Sequence, residues 1–157
     1  MLIQYMIKTM SLIKSKKVYF NYELLDKYSA GLELLGTEVK ALRAGHGSLE
    51  GAYIKLINEQ AVLIGATIPP FQVGNAPEDY DTNRPRNLLL TKKELTEIKK
   101  KLETRGLTLV PISVYNKGRK LKLDLAIARG KKEFDKRETI KKRETDRDIR
   151  RTLKNKY

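Results

Sequence analysis

The chain has 157 residues and carries 33 Lys and Arg against 19 Asp and Glu, a formal net charge of +14 at pH 7. Its length fits one domain with a short appendage, and the excess of positive charge indicates a polyanionic partner, either nucleic acid or an anionic membrane surface. It contains no Cys and a single His, which excludes disulfide scaffolds, thiolate or histidine-cluster metal sites and cysteine nucleophiles.

The N-terminal stretch is mildly apolar but is interrupted by Gln4 and Lys8, so it lacks the continuous apolar segment of a secretory signal. No segment approaches the ~18 uninterrupted apolar residues of a membrane span. We therefore expect a cytoplasmic protein. Met6 and Met10 are alternatives to Met1 as the start, and we predict residues 1–14 to be a flexible N-terminal extension.

Residues 15–128 are predicted to form the folded domain, and most of them have the pattern of strands. Aromatic and aliphatic residues fill 18–24 and 29–35, with a kink at the Ser-Ala-Gly run that starts at residue 29. Two hairpins are predicted further on, one joining 52–57 to 61–67 and the other joining 107–115 to 120–128. In the last of these strands Leu and Ile alternate with more polar residues, which is typical of a strand with one buried face.

Two helices interrupt these strands. Residues 91–105 open on a capping box formed by Thr91 and Glu94, and a shorter helix covers residues 37–44. Residues 71–88 form a long loop of the kind that is usually functional or mobile. The pattern predicts a mainly β fold with peripheral helices: a small closed antiparallel β-barrel, either of the oligonucleotide-binding type or of another closed β topology.

Residues 129–157 form a separate basic tail. They hold 13 basic and 6 acidic residues, which is half of the net charge in less than a fifth of the length. Their few large apolar side chains cannot offset the entropy of ordering the backbone, so we expect the tail to be disordered alone. Ile149, Leu153 and Tyr157 share one helical stripe, and opposite charges recur four residues apart. The tail is therefore predicted to become helical on a partner.

The sequence offers no arrangement of residues that favours catalysis. The acidic pairs fall on a Lys-rich helix surface, at Glu94 and Glu97, and in the tail, at Asp146 and Asp148, where no dry pocket holds them. His46 lies between two glycines without a catalytic companion, and no phosphate-binding loop or nucleophile elbow occurs. We predict no enzymatic activity, no cofactor and no metal; a nuclease would need clustered acids or histidines.

Cations interleaved with aromatic residues favour a nucleic-acid partner instead. Lys and Arg neutralise phosphates and release counterions, and aromatic rings stack on unpaired bases. Phe134 stands alone in the basic run 131–137, for which the alternative is an ordinary solvated run of charges. Arg84 and Arg86, at the end of the long loop, have the same two interpretations.

Five runs follow one another along the chain: Ala30-Gly31-Leu32; Gly36-Thr37-Glu38-Val39-Lys40 with Leu42-Arg43-Ala44-Gly45; Arg84-x-Arg86-x-Leu88-Leu89-Leu90; Gly106-Leu107-Thr108-Leu109-Val110-Pro111; and Ala128-Arg129-Gly130-Lys131-Lys132 with Asp135-Lys136-Arg137. Together, from about Ser15 to the C-terminus, they resemble the SsrA-binding protein family, or small protein B, which binds tmRNA in bacterial trans-translation.

The resemblance implies an oligonucleotide-binding-type barrel that binds the tRNA-like domain of tmRNA and delivers it to ribosomes stalled on truncated messages. It implies elongation factor Tu as an indirect partner through charged tmRNA, and we expect a monomer. The tail is implied to fold in the empty mRNA channel and to contact rRNA at the small-subunit decoding centre. The implied RNA-binding residues are Tyr22, Glu38, Lys40, Arg43, Arg84, Arg86, Leu89 and Thr91. The implied ribosome contacts are Lys131, Lys132, Phe134, Asp135, Lys136, Arg137, Ile149 and Leu153.

The chain departs from the family pattern at three places. Ser15-Lys16-Lys17-Val18 replaces a lead-in of Asn, two basic residues and Ala; Ser29 replaces an acidic residue; and Thr91 stands where Asn or His is usual. The last two lie in the implied RNA surface, so the contacts there are expected to differ. The alternative function is a ribosomal structural protein or a general cationic RNA-binding module.

Overall fold

The computed structural model describes residues 11–72, 74 and 76–156, and the side chains of residues 133, 134 and 156 lie outside the described part. These residues form seven strands: β1 (Ser11–Lys14), β2 (Tyr22–Leu32), β3 (Tyr53–Ile57), β4 (Gln60–Ile64), β5 (Arg86–Leu89), β6 (Leu107–Lys117) and β7 (Lys120–Gly130). They also form four helices: α1 (Val18–Asn21), α2 (Gly36–Arg43), α3 (Lys92–Leu102) and α4 (Glu133–Lys156). Within this part of the chain, no helix is both long and apolar enough to cross a membrane.

The strands form one antiparallel sheet in the order β1-β6-β3-β4-β5-β2-β7, and β6 also pairs with β7. The predicted mainly β fold with peripheral helices is therefore confirmed. The pairings lead around a barrel, but β3 and β6 meet at one residue pair, Ile54 with Leu109. The barrel is thus not strictly closed at this seam, which corrects the prediction of a closed barrel. Leu102 of α3 lines the cleft beside the seam.

The core fills the barrel with aliphatic side chains from every strand. The predicted alternation in β7 is confirmed, because Leu121, Leu123, Leu125 and Ile127 are all buried. Strands β6 and β7 join in a two-residue turn between Lys117 and Lys120. The predicted capping box of α3 is also present, with Thr91 as the N-cap.

The segment predicted as two strands, 18–24 and 29–35, is arranged differently. Val18–Asn21 is a helical turn, and β2 then runs unbroken from Tyr22 to Leu32. The irregularity in β2 lies between Leu24 and Asp26 rather than at the Ser-Ala-Gly run. Val18 packs in a small buried cluster with residues of β6 and β7, and this tertiary packing overrides the strand preference of the local sequence.

The boundaries of the folded body also differ from the prediction. Ser11–Lys14 pairs with β6 and buries Ile13, so these residues belong to the sheet and not to a flexible extension. Residues 1–10 lie outside the described residues. At the other end, β7 continues to Gly130 and α4 follows at once. The tail forms α4 in the structure, and opposite charges four residues apart and contacts with α1 stabilise that helix. Its disorder in the absence of a partner stays a prediction.

Candidate nucleic-acid interface

A buried ionic cluster lies beneath α2, and we call Glu38, Tyr80, Arg84 and Arg86 the Glu38 cluster. Glu38 and Arg86 are both fully buried. Arg86 donates from Nε and Nη2 to Glu38 Oε2 at 2.9 and 2.6 Å. Arg84 donates from Nε to the same oxygen at 3.2 Å, and its Nη2 pairs with Oε1. The Leu35 N–H donates to Oε1 at 2.8 Å, so the carboxylate also caps the start of α2.

The remaining donors of this cluster hold the long connection between β4 and β5. Arg86 Nη1 donates to the carbonyl of Ala66 at 2.7 Å, and Nη2 donates to the carbonyl of Thr82 at 3.0 Å. The Tyr80 hydroxyl donates to the carbonyl of Ile68 at 2.7 Å. Each of these carbonyls belongs to the backbone of the connection. The cluster therefore fixes the path of this connection beside α2.

Two pKa shifts follow from this geometry. Burial alone raises the pKa of Glu38, but the hydrogen bonds from Arg84, the Leu35 N–H and Arg86 outweigh it, so the pKa lies below its usual value. Burial and the neighbouring Glu38 charge raise the pKa of Tyr80. At neutral pH the cluster therefore contains a carboxylate, two guanidinium groups and a neutral phenol.

The structure corrects the role predicted for Arg86, whereas Arg84 stays partly exposed. Arg86 lies in β5 and has no exposed surface. The prediction that Arg86 contacts a phosphate directly is therefore wrong. Glu38 is equally buried, and the Arg84 side chain is 30% exposed with its guanidinium bound to Glu38. A buried guanidinium needs a carboxylate partner because an unpaired buried charge is very costly. Glu38 and Arg86 therefore support the surface from below, whereas Arg84 is partly exposed at it.

The basic surface lies next to this cluster, at the end of the barrel where β6 turns into β7. Lys40 follows Glu38 by two positions on α2 and therefore faces solvent while Glu38 faces the core. Arg43 donates from Nη2 to the carbonyl of Arg119 at 2.8 Å, which joins α2 to the hairpin turn. We call this set the hairpin-end surface; its members are exposed cations, namely Lys40, Arg43, Lys117, Arg119 and Lys120.

Leu89 and Gly31 lie at the same end of the barrel. Gly31 of β2 pairs with Leu89 on one side and with Lys122 on the other. A Cβ added at Gly31 would lie 3.2 Å from the Leu89 Cβ, so the missing side chain lets Leu89 pack close over β2. Leu89 remains 53% exposed. Thr91, two residues on, accepts from the Glu94 N–H at 3.2 Å and is engaged in capping α3.

Tyr22 does not lie with the other predicted RNA-binding residues. It pairs with Gly130, whereas Gly31 marks the opposite end of the same strand; nine residues of strand cover about 30 Å. Tyr22 lines a groove of about 800 Å³ together with Tyr53. Three lysines of the first strand and its following turn line it too, namely Lys14, Lys16 and Lys17. The structure therefore divides the predicted residues between the two ends of the barrel.

The predicted ribosome-contact residues lie on or just before α4. Asp135 Oδ2 accepts from the Lys132 N–H at 3.3 Å, so this carboxylate caps the helix. Ile149 and Leu153 are 52% and 55% exposed, one turn apart on the helix. Lys131 Nζ donates to the carbonyl of Tyr19 at 3.1 Å, and the side chain of Phe134 lies outside the described part of the chain.

Several residues of these surfaces were not predicted from the sequence. Tyr80 joins the Glu38 cluster from a loop whose course no local pattern indicates. The hairpin between β6 and β7 was predicted, but its position against Arg43 depends on the folded barrel. Within the described residues, no group of three or more His, Cys, Asp and Glu side chains is placed to hold a metal ion.

Comparison with known proteins identifies the family. The model of the family described as SmpB protein matches residues 12–155. An SsrA-binding protein of Gloeobacter violaceus is 47% identical over 143 residues, which cover 91% of this chain and 93% of that protein. An SsrA-binding protein of Fusobacterium nucleatum is 38% identical over 148 residues, which cover 93% and 98%.

A solved structure supports the same assignment. One of its chains is 38% identical, superposes with a TM-score of 0.63 and covers 76% of this chain and 84% of its own length; that structure is described as "tmRNA-SmpB: a journey to the center of the bacterial ribosome". The resemblance predicted from the five sequence runs is thus confirmed, and the chain belongs to the SmpB protein family.

Proposed function

We propose that this protein binds the tRNA-like domain of tmRNA and delivers it to stalled ribosomes in trans-translation. The observation that carries the proposal is the extent of the family match, which spans residues 12–155 and so includes both the barrel and the tail. The similar chain in a tmRNA–SmpB ribosome structure supports the same partners. In this proposal elongation factor Tu takes part indirectly, through charged tmRNA, and the protein acts as a monomer in the cytoplasm.

The hairpin-end surface is the part of the barrel that we assign to tmRNA. Its five cations come from α2 and from the tip of the hairpin formed by β6 and β7, and the bond from Arg43 to the Arg119 carbonyl links the two segments. Structured RNA is recognised largely by shape and by phosphate and ribose contacts, which suits a rigid array of cations. The exposed face of Leu89 lies beside it for contact with a base or ribose.

We assign the opposite end of the barrel to the ribosome. The helix α4 leaves that end next to Gly130 and contains 24 residues, which corresponds to a length of about 36 Å. In our proposal Lys132, Lys136 and Arg137 contact phosphates near the decoding centre, with Phe134 stacked on an rRNA base. Further along the helix, Ile149 and Leu153 pack in the empty mRNA channel. The tail thus detects that the template is missing.

A truncated chain that ends at Gly130 tests this division, because it retains all seven strands. It should bind the tRNA-like domain within about threefold of the full chain, a difference of under 1 kcal/mol, and should fail to support tagging of stalled chains. A variant of the full chain with Lys40→Ala and Arg43→Ala is the matched opposite case and should lose tmRNA affinity. If truncation abolishes tmRNA binding and tagging together, the assignment of separate ends is wrong.

A further inference from the structure

The long connection between β4 and β5 presents an aromatic residue at the surface. Phe71 lies in this connection and is 42% exposed. The two residues before it are Pro69 and Pro70, which fix the backbone dihedral φ at their own positions and so stiffen this part of the chain. The Phe71 N–H donates to Thr37 Oγ1 at 3.1 Å. The backbone of Phe71 is therefore bound to the first turn of α2.

The backbone just before the two prolines is also bound to its surroundings. Ile68 is buried, and its N–H donates to the carbonyl of Thr82 at 3.0 Å. Its own carbonyl accepts from the Tyr80 hydroxyl at 2.7 Å, so the Glu38 cluster holds the chain three residues before Phe71. An exposed side chain on a backbone that is already fixed loses less conformational entropy when it binds a partner.

Phe71 lies at one end of a row of cations on α2. Thr37, Lys40 and Arg43 follow one another at intervals of three residues, so they are neighbours along the surface of the helix. The rise along the helix axis from Thr37 to Arg43 is about 9 Å. Lys40 and Arg43 are exposed, and Arg43 reaches the hairpin tip through its bond to the Arg119 carbonyl. The hairpin-end surface is therefore continued along α2 as far as Phe71.

We infer that Phe71 is a stacking platform for an unpaired base of the RNA that the hairpin-end surface binds. Unpaired bases of folded RNA stack on aromatic side chains, and cations beside the ring hold the adjoining phosphates. An exposed aromatic ring next to exposed lysine and arginine suits a polyanion with flat apolar bases better than it suits a protein partner. The inference rests on the proposed function, and it assigns to the tRNA-like domain a contact that does not depend on charge.

Affinity for the tRNA-like domain and its salt dependence distinguish a stacked ring from a cation. Phe71→Leu removes the ring and should weaken binding about 5- to 150-fold, the range for one stacked base. The ring is uncharged, so the slope of log affinity against log salt should stay that of the parent, whereas Lys40→Ala should lower it. Phe71→Tyr retains the ring and should bind like the parent. Tyr19→Leu is the matched control, because Tyr19 is 50% exposed on α1.

Fluorescence tests the stacking directly in a variant that keeps an aromatic ring. The chain contains no Trp, so Phe71→Trp and Tyr19→Trp each introduce a single indole. Addition of the tRNA-like domain should quench the fluorescence of Phe71→Trp, because a base stacked on the indole quenches it, and should leave that of Tyr19→Trp unchanged. A fully paired RNA duplex of equal length should quench neither. Binding of the tRNA-like domain without quenching in Phe71→Trp, or with equal quenching in Tyr19→Trp, overturns the stacking platform.

The affinity of the parent separates this inference from the proposed function. If the parent does not bind the tRNA-like domain, the proposed function fails and the stacking platform fails with it. If the parent binds and Phe71→Leu binds equally tightly, the stacking platform alone is overturned. Weaker binding by Phe71→Leu at the parent's melting temperature and salt slope, together with quenching in Phe71→Trp, supports it. A lowered salt slope in Phe71→Leu would mean that Phe71 acts through the neighbouring cations, which contradicts stacking.

Discussion

Substitution of Glu38 by Gln tests the interpretation of the Glu38 cluster, because it preserves the shape of the side chain and removes its charge. The carboxylate accepts bonds from Arg84, Arg86 and the Leu35 N–H. The amide NH₂ of Gln would face guanidinium donors, and the fully buried Arg86 would lose its counter-charge. Removing one partner of a buried ion pair costs about 3–5 kcal/mol. For a chain of this size the melting temperature should fall by about 6–20 °C, at about 2–4 °C per kcal/mol.

Equilibrium unfolding in urea, followed by circular dichroism, measures the loss in free energy directly. Glu94→Gln is the matched control, since Glu94 accepts bonds in the capping box of α3 near solvent. It should cost at most about 1 kcal/mol. A double variant with Glu38→Leu and Arg86→Met removes both buried charges and should lose much less than the sum of the two single variants. If Glu38→Gln costs no more than Glu94→Gln, the cluster does not stabilise the fold as we argue.

The pH dependence of the same variant has a definite sign. The pKa of Glu38 in the folded state lies below its usual value of 4.5, so its contribution to stability is fully present above about pH 4.5. That contribution is lost as the pH falls from 4.5 through the pKa of the folded state. The difference in unfolding free energy between the parent and Glu38→Gln should therefore shrink as the pH is lowered through this range. A constant difference would contradict a bound carboxylate.

Two further sets of substitutions examine the hairpin end of the barrel. Gly31→Val should lower the free energy of unfolding by about 1–3 kcal/mol, because the added side chain would press on Leu89. Adding Leu89→Ala to this variant should recover part of the loss, which a double-mutant cycle of unfolding free energies measures. Lys40→Ala and Arg43→Ala should each weaken binding to the tRNA-like domain and lower the steepness of log affinity against log salt by about 0.7–0.9 per lost phosphate contact. Lys55 on β3 is exposed and lies outside this surface, so Lys55→Ala should change neither the affinity for the RNA nor its dependence on salt. An equal effect of Lys55→Ala would mean that binding follows net charge alone.

The regular elements were predictable because their signals are local. The alternation of Leu and Ile in β7, the glycine turn before it and the capping box of Thr91 with Glu94 each need only a few neighbouring residues. The helical turn at Val18–Asn21 was missed for the opposite reason. Its residues have strand preferences, and only packing of Val18 on distant strands favours the helical turn.

The site was predicted less completely, since a residue's burial depends on contacts remote in sequence. Arg86 lies in a run with Arg84 that has the pattern of a surface basic loop, yet its partner Glu38 is 48 residues away. Tyr80 was missed for the same reason, because its hydroxyl donates to Glu38 from 42 residues away and no short motif indicates that contact. Tyr22 and Leu89 both fall in runs that resemble the family, but the length of β2 separates them.

Affinity for the tRNA-like domain of tmRNA, compared at one fixed salt concentration with a competitor RNA of equal length and scrambled sequence, tests the central claim most directly. Phosphate contacts alone give similar affinities for any RNA of that length. Recognition of one folded RNA by the hairpin-end surface predicts a preference of at least about tenfold, or about 1.4 kcal/mol. Equal affinity for the two RNAs would contradict the account and would favour a general cationic RNA-binding module.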